Sequence, residues 1–168
     1  MAKSGIKIVG VKELMQKLKR MEADIGAEAE VAMKKVGVYG EGKVKLVLGP
    51  DGGARTGRVY STGKKGARYK SHQASAPGEP PAIWHGKLRA SISYMTERGK
   101  DWAKAYIGPI GKDRDRDVDE YSKDLELGKP PYLRPRPYLF STLQKEAKNM
   151  VEIVRKSLQQ SLQKYRKK

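Results

Sequence analysis

A chain of 168 residues, 38% of them hydrophobic, is long enough to bury one core, and its organisation is expected to be a single domain over residues 1–168. It has no cysteine, which excludes a disulfide framework and thiolate metal sites, and no stretch approaches the ~18 to 20 apolar residues of a membrane-spanning helix. A formal charge of +17 directs attention to phosphate-rich or acidic partners and argues against a chain indifferent to salt.

The first residues, MAKSGIKIVG, lack the apolar region of a secretory signal, so synthesis and residence in a reducing cytoplasm are expected. Ile6 to Val9 is a short β-rich run. Val11, Leu14, Met15, Leu18 and Met21 then recur at helical spacing. Gly26 reads as a break or kink, after which Ala29, Met33, Val36, Gly40, Val44 and Val47 continue an apolar face as a second helix. Its Gly37, Gly40 and Gly42 each cost ~1 kcal/mol relative to alanine in an exposed helix interior. They either permit close packing or simply weaken the helix. Gly49, Pro50, Asp51, Gly52 and Gly53 end it and open an extended loop region over about residues 49–86.

From Ala54 to Ser71 the sequence is basic, with Arg55, Arg58, Lys64, Lys65, Arg68 and Lys70 around Tyr60 and Tyr69. Arg58 to Tyr60 suits a strand end, and STGKKGARYKS reads as a mobile loop. Basic residues interleaved with tyrosine fit a nucleic-acid backbone, and they equally fit a loop docked on a neighbouring subunit. The next segment, APGEPPA, is different in kind. Pro77, Pro80 and Pro81 fix φ and remove three backbone donors while Gly78 permits positive φ, so the segment is an ordered, rigid turn. Beyond Trp84 and His85, the alternation of Leu88, Ala90, Ile92 and Tyr94 predicts a strand over Leu88 to Thr96. Trp102 to Ile107 alternates likewise, and the intervening turn with Gly99 makes the two an antiparallel hairpin.

Gly108, Pro109 and Gly111 open a second extended region, over about residues 108–137. Within it, Asp113 to Glu126 holds seven acidic residues against three basic ones, a local charge of −4 on an otherwise basic chain. Val118, Tyr121 and Leu125 lie at helical spacing there, predicting a short helix that ends at Gly128. The island is either a solvated surface or the acidic half of a head-to-tail contact with a neighbour's basic face. Lys129 to Pro137 is a second proline-fixed loop, carrying Arg134 and Arg136 to the start of the longest helix. Leu139, Leu143, Ala147, Met150, Val151, Val154, Leu158, Leu162 and Tyr165 mark that helix as one apolar stripe. Its end, Arg155 to Lys168, has six basic residues and no acidic one, which complements the helix dipole and also suits a polyanion.

No constellation for catalysis is legible. His72 and His85 are the only histidines and lack metal-ligand spacing, the glycine-rich runs lack the full phosphate-loop pattern, and Glu79 among prolines has no partner base or acid. The reading is therefore not an enzyme, with no catalytic, cofactor-binding or metal-binding residues and no cofactor.

Five short motifs in order carry a resemblance: ARTGRVY at Ala54 to Tyr60, SAPGEPPA at Ser75 to Ala82, GKLRASI at Gly86 to Ile92, YSKDLELG at Tyr121 to Gly128 and LRPRPYL at Leu133 to Leu139. With them the chain resembles the HK97-type family of tailed-bacteriophage tail-completion, or head–tail joining, neck proteins. The resemblance implies a structural virion protein of a siphovirus-type particle. Such a protein is made in the host bacterial cytoplasm and assembled into a ring of six or twelve copies around the DNA channel. Its partners would be copies of itself, the adjacent neck, head-completion and tail-terminator proteins, and passing genomic DNA, with no membrane.

On this reading Pro77, Gly78, Glu79, Pro80, Pro81, Trp84, Arg134, Arg136 and Tyr138 are candidates for subunit contacts. Arg55, Arg58, Lys64, Lys65 and Arg68 are candidates for the channel lumen or a further interface. The alternative is a nonspecific basic nucleic-acid-binding protein, ribosome- or RNA-associated. The expected fold class is α+β: a small, mostly antiparallel sheet packed by N-terminal helices and a long C-terminal helix.

Overall fold

In the computed structural model, which describes residues 11–49, 59–62, 70–83, 86–110 and 116–166, the N-terminal third is one continuous helix, α1 (Val11–Val47). The expected break at Gly26 does not occur. A Cβ at Gly26 would lie 2.5 and 2.6 Å from the carbonyl oxygens of Gly99 and Lys100. One at Gly37 would enter the ring of Tyr94, and one at Gly40 would strike Ile107 and crowd Met150 and Leu143. With Met33 between them on the same face, these glycines open gaps in the helix surface at which the hairpin approaches its backbone closely. The propensity lost is offset by that contact, and of the two readings of the helix glycines close packing holds at Gly37 and Gly40. Gly42 has nothing within 4 Å and takes no part.

The seated hairpin is β3 (Ile92–Arg98) paired antiparallel with β4 (Ala103–Pro109), in register from Ile92 opposite Pro109 to Arg98 opposite Ala103. The strand expected from Leu88 begins four residues later, because residues 87–91 form a short helix, α2 (Lys87–Ser91). Gly86 precedes it at φ 73°, and the Ser91 hydroxyl donates to the Leu88 carbonyl at 2.8 Å. Leu88 and Ile92 thus reach the core one helical turn apart. A second hairpin joins β1 (Val59–Thr62) to β2 (Lys70–Gln73), with Tyr60 opposite His72. The segment read as a mobile loop therefore contributes strand residues at both ends. Ile6 to Val9 lies outside the described residues.

The acidic island yields α3 (Arg116–Leu127), which stops at Gly128 with φ 80°, where the sequence sets its end. The last helix, α4 (Phe140–Arg166), meets the sheet where Leu143 and Met150 converge with Ile107 over Gly40. The fold is α+β, with helices over a small antiparallel sheet and the long C-terminal helix packed on it. Val44, Leu48, Ile92, Leu125 and Tyr138 form the buried core, flanked by Val47, Leu88, Leu133, Leu139 and Leu143. It lies where the end of α1, the start of β3, α3 and the start of α4 come together. Full burial of a side chain such as Leu48 or Ile92 is worth ~1.5–3 kcal/mol.

Away from this core the α1–α4 contact turns polar. Glu146 on α4 accepts from the Tyr39 hydroxyl at 2.5 Å and from Asn149 at 2.6 Å, and pairs with Lys43 at 3.1 Å. Further along, Lys35 donates to the Ser157 hydroxyl at 3.1 Å, and the Ser161 hydroxyl donates to Glu28, which also faces Lys164. Hydrogen bonds from Tyr39, Asn149 and Lys43, with the charge of Lys43, hold the Glu146 carboxyl down at about 2.

Two predictions follow from the packing. Gly42→Ala should stabilise the protein by ~0.5–1 kcal/mol through helix propensity alone. Gly26→Ala should instead destabilise it by ~1–3 kcal/mol, since backbone carbonyls block the methyl group. Urea titration of both variants measures the difference in sign. The Glu146 carboxyl takes up its proton at lower pH when folded than when unfolded, where its ordinary value is 4.5. Its contribution is complete above about pH 4.5 and is lost as the pH falls through about 2. Glu146→Gln should therefore flatten the fall in stability across that window, and equal slopes for the two proteins would refute the contribution of the Glu146 bonds to Tyr39 and Lys43.

Candidate functional site

The two proline loops lie 61 residues apart in sequence, measured from Ser75 to Arg136, and they are hydrogen-bonded to each other. The Gly78 amide donates to the Pro135 carbonyl at 2.9 Å, and Arg136 Nε donates to the Ser75 carbonyl at 3.2 Å. Gly78 sits at φ 85°, a conformation open to glycine and strained for a side chain. Glu79 closes the first loop on itself. Its carboxylate accepts from the Ala76 amide at 3.1 Å while its own amide donates to the Ala76 carbonyl at 3.2 Å. That is a capping role within the turn.

The second loop is fixed from below by α3. The Arg136 amide donates to the Leu125 carbonyl at 2.6 Å. Glu126 then accepts three successive backbone amides, from Tyr138 at 2.8 Å, Leu139 at 3.0 Å and Phe140 at 2.9 Å. These are the orphan donors at the start of α4, and a carboxylate there is favoured by both hydrogen bonding and the helix dipole. Tyr138 is wholly buried, its hydroxyl 2.5 Å from that of Ser122. Burial pushes the phenol up to about 12, against the opposing hydrogen bond from Ser122. Tyr138 therefore supports the loop from the core and does not itself reach a neighbour.

Between these anchors the chain makes a tight excursion. Lys129 and Leu133 exchange backbone hydrogen bonds at 2.8 and 2.9 Å, and the Tyr132 amide donates to the Lys129 carbonyl. The Pro130–Pro131 peptide is cis. At the tip Tyr132 is 89% exposed, and Pro77, Pro130, Pro131, Arg134 and Pro135 are exposed around the joined loops. The result is a surface of stiff backbone, an aromatic ring and a guanidinium. Binding through it sacrifices little conformational freedom.

Of the residues singled out from sequence, Pro77 and Gly78 are exposed on this surface, as is Arg134. Glu79, Pro80 and Arg136 are half-buried within it, and Pro81 and Tyr138 are buried beneath. Trp84 and the basic set Arg55, Arg58, Lys64, Lys65 and Arg68 lie outside the described residues. Tyr132, Glu126 and Ser122 belong to the platform and escaped the sequence reading. An exposed tyrosine between prolines was a usable signal for Tyr132, whereas nothing local ties Glu126 to amides twelve to fourteen residues on. Among the described residues no group of three or more His, Cys, Asp or Glu side chains could share a metal ion.

If Glu126 holds the platform, Glu126→Gln should cost ~1–2 kcal/mol, because an amide nitrogen cannot replace an accepting oxygen. Hydrogen exchange at the Tyr138, Leu139 and Phe140 amides should accelerate more than exchange along β3. Uniform acceleration would instead mean that Glu126 serves the whole fold and not this junction. Comparison with known proteins finds no family model, no curated protein and no solved structure that matches this chain.

Proposed function

We propose that this chain is a structural virion protein that forms a ring in the neck of a siphovirus-type phage, completing the tail and joining it to the head. The observation that carries the reading is the junction of the two proline loops. SAPGEPPA and LRPRPYL, two of the motifs on which the family resemblance rests, are hydrogen-bonded into one exposed platform anchored by α3. A stiff, preorganised surface suits a protein whose work is assembly, where repeated modest contacts around a ring sum to a strong joint. Rigid ring-to-ring docking through Tyr132, Arg134 and Pro77 is the mechanism, and no chemical step belongs to it. The chain is made in the bacterial cytoplasm and ends in the virion, beside the head-completion and tail-terminator proteins and around the genome.

Cryo-electron microscopy of particles tests this directly. The expected result is a symmetric ring of this chain between portal and tail tube. Its absence from every particle, with salt-dependent binding of the purified protein to RNA or DNA, would overturn the reading in favour of a nonspecific nucleic-acid binder. At the residue level, Tyr132→Ala with Arg134→Glu alters only exposed side chains, so folding should be intact by circular dichroism. The double variant should lower the yield of joined, infectious particles by about tenfold or more, the scale of losing one or two interface anchors.

A further inference from the structure

The apolar stripe of α4 does not lie where its periodicity suggests. Beyond Met150 the same face carries the half-buried Val154 and then two buried serines, Ser157 and Ser161, bonded to Lys35 and Glu28 of α1. Val151, Leu158 and Leu162, spaced by seven and four, stand 67%, 37% and 55% exposed. They form one ridge on a helix face turned about 100° from the face that meets α1. A row of aliphatic side chains left in water along three turns is an interaction surface. Its flank is basic: Lys148 and Arg155, seven residues apart, are both exposed. Arg155 bonds Glu152 at 2.8 Å, while Lys148 has no partner among the described residues.

The complementary surface is on the same chain. The outer face of α3 carries Tyr121 and Leu127, 54% and 64% exposed, together with Glu120, Asp124 and one exposed cation, Lys123. Glu120 has no partner among the described residues, and Asp124 has only an exposed contact with Lys129 at 3.2 Å. The helix of 12 residues and the ridge from Val151 to Leu162 are each about 16–18 Å long. On α3 the two carboxylates lie between the exposed apolar side chains, and on α4 two cations flank the apolar ridge.

The two faces cannot meet within one molecule. Glu126 ties the end of α3 to the first turn of α4, and Leu158 lies eighteen residues beyond Phe140, about 27 Å along the axis. We infer that the exposed face of α3 on one copy docks on the Val151–Leu158–Leu162 ridge of α4 on a second copy. Because the two faces differ, the contact is heterologous and propagates head to tail, closing into a ring when the rotation allows. It also sets acidic against basic surface in a chain of net charge +17, which lowers the repulsion that copies of it otherwise feel. This rests on the neck-ring reading for its setting, while the pairing of faces is a property of the protein alone.

The test is self-association of the purified full chain, followed at low salt by sedimentation velocity and light scattering. Leu158→Glu should weaken association by about tenfold or more, because a charge then sits in the apolar ridge. Circular dichroism on that variant checks that α4 is intact. Lys148→Glu with Arg155→Glu, and separately Glu120→Lys with Asp124→Lys, should each weaken association about tenfold, and mixing the two charge-reversed proteins should restore it. Restoration identifies the pairing, since damage to folding is not repaired by a second damaged protein. A wild-type chain that stays monomeric at every concentration, or reversals that leave association unchanged or fail to complement, would overturn the inference. The neck reading has its own arbiter in the particle. A ring there built through other faces sinks only the pairing, and complementation in solution without a ring in the particle sinks only the neck assignment.

Discussion

The arrangement depends on three glycines that open one face of α1. Gly26, Gly37 and Gly40 remove the Cβ atoms that would otherwise hold the β3–β4 hairpin away from α1, and the hairpin's turn carbonyls, Tyr94 and Ile107 fill the space. At Gly40 the same gap admits Met150 and Leu143, so one glycine sets the distance of both the sheet and α4 from the central helix. Interiors are packed too densely for a methyl group to enter unnoticed. Such a contact fixes position more sharply than a layer of flexible aliphatic side chains, and it gives α3 and the two proline loops a fixed base.

How much of this was legible depends on whether the signal was local. The end of α3 at Gly128, the turn between β3 and β4 and the length of α4 follow from neighbours in sequence, and the sequence reading finds them. Gly26 misleads because a glycine inside a helical pattern looks the same whether it breaks the helix or seats another element on it; only the carbonyls of Gly99 and Lys100 distinguish the cases. Lys70 to Gln73 has no apolar alternation, and its strand exists through its partner. Leu88 to Ala90 alternates like a strand, yet a glycine at positive φ starts a helical turn there. Of the platform, the stiffness of each proline loop is local and readable. Their union is not, since Gly78 with Pro135 and Glu126 with Tyr138 are tertiary pairings.

The α4 stripe is the most informative mismatch. Periodicity reports that one side of a helix is apolar, but it does not say which molecule covers it. Here Leu139, Leu143 and Met150 turn inward, while Val151, Leu158 and Leu162 stand exposed and Ser157 and Ser161 bond α1 in their place. Hydrogen-bonded serines allow a close helix approach and carry little hydrophobic driving force. A helix that needed its aliphatic residues for its own stability would have put them against α1. Val151, Leu158 and Leu162 instead stand outside, where a contact made after folding can cover them.

The disposition of charge leads the same way. Among the described residues, Glu28, Glu30, Glu41, Glu146 and Glu152 are engaged with cations of the same chain, and Glu126 is occupied by three amides. Exposed pairs of this kind add little stability individually. Their effect is to use up acidic groups internally, so that the surplus of lysine and arginine is left facing outward. A surface so composed repels its own kind unless the few carboxylates left over are gathered in one place. On the outer face of α3, among the described residues, Glu120 is left over beside Asp124, whose one ion pair, with Lys129, is exposed.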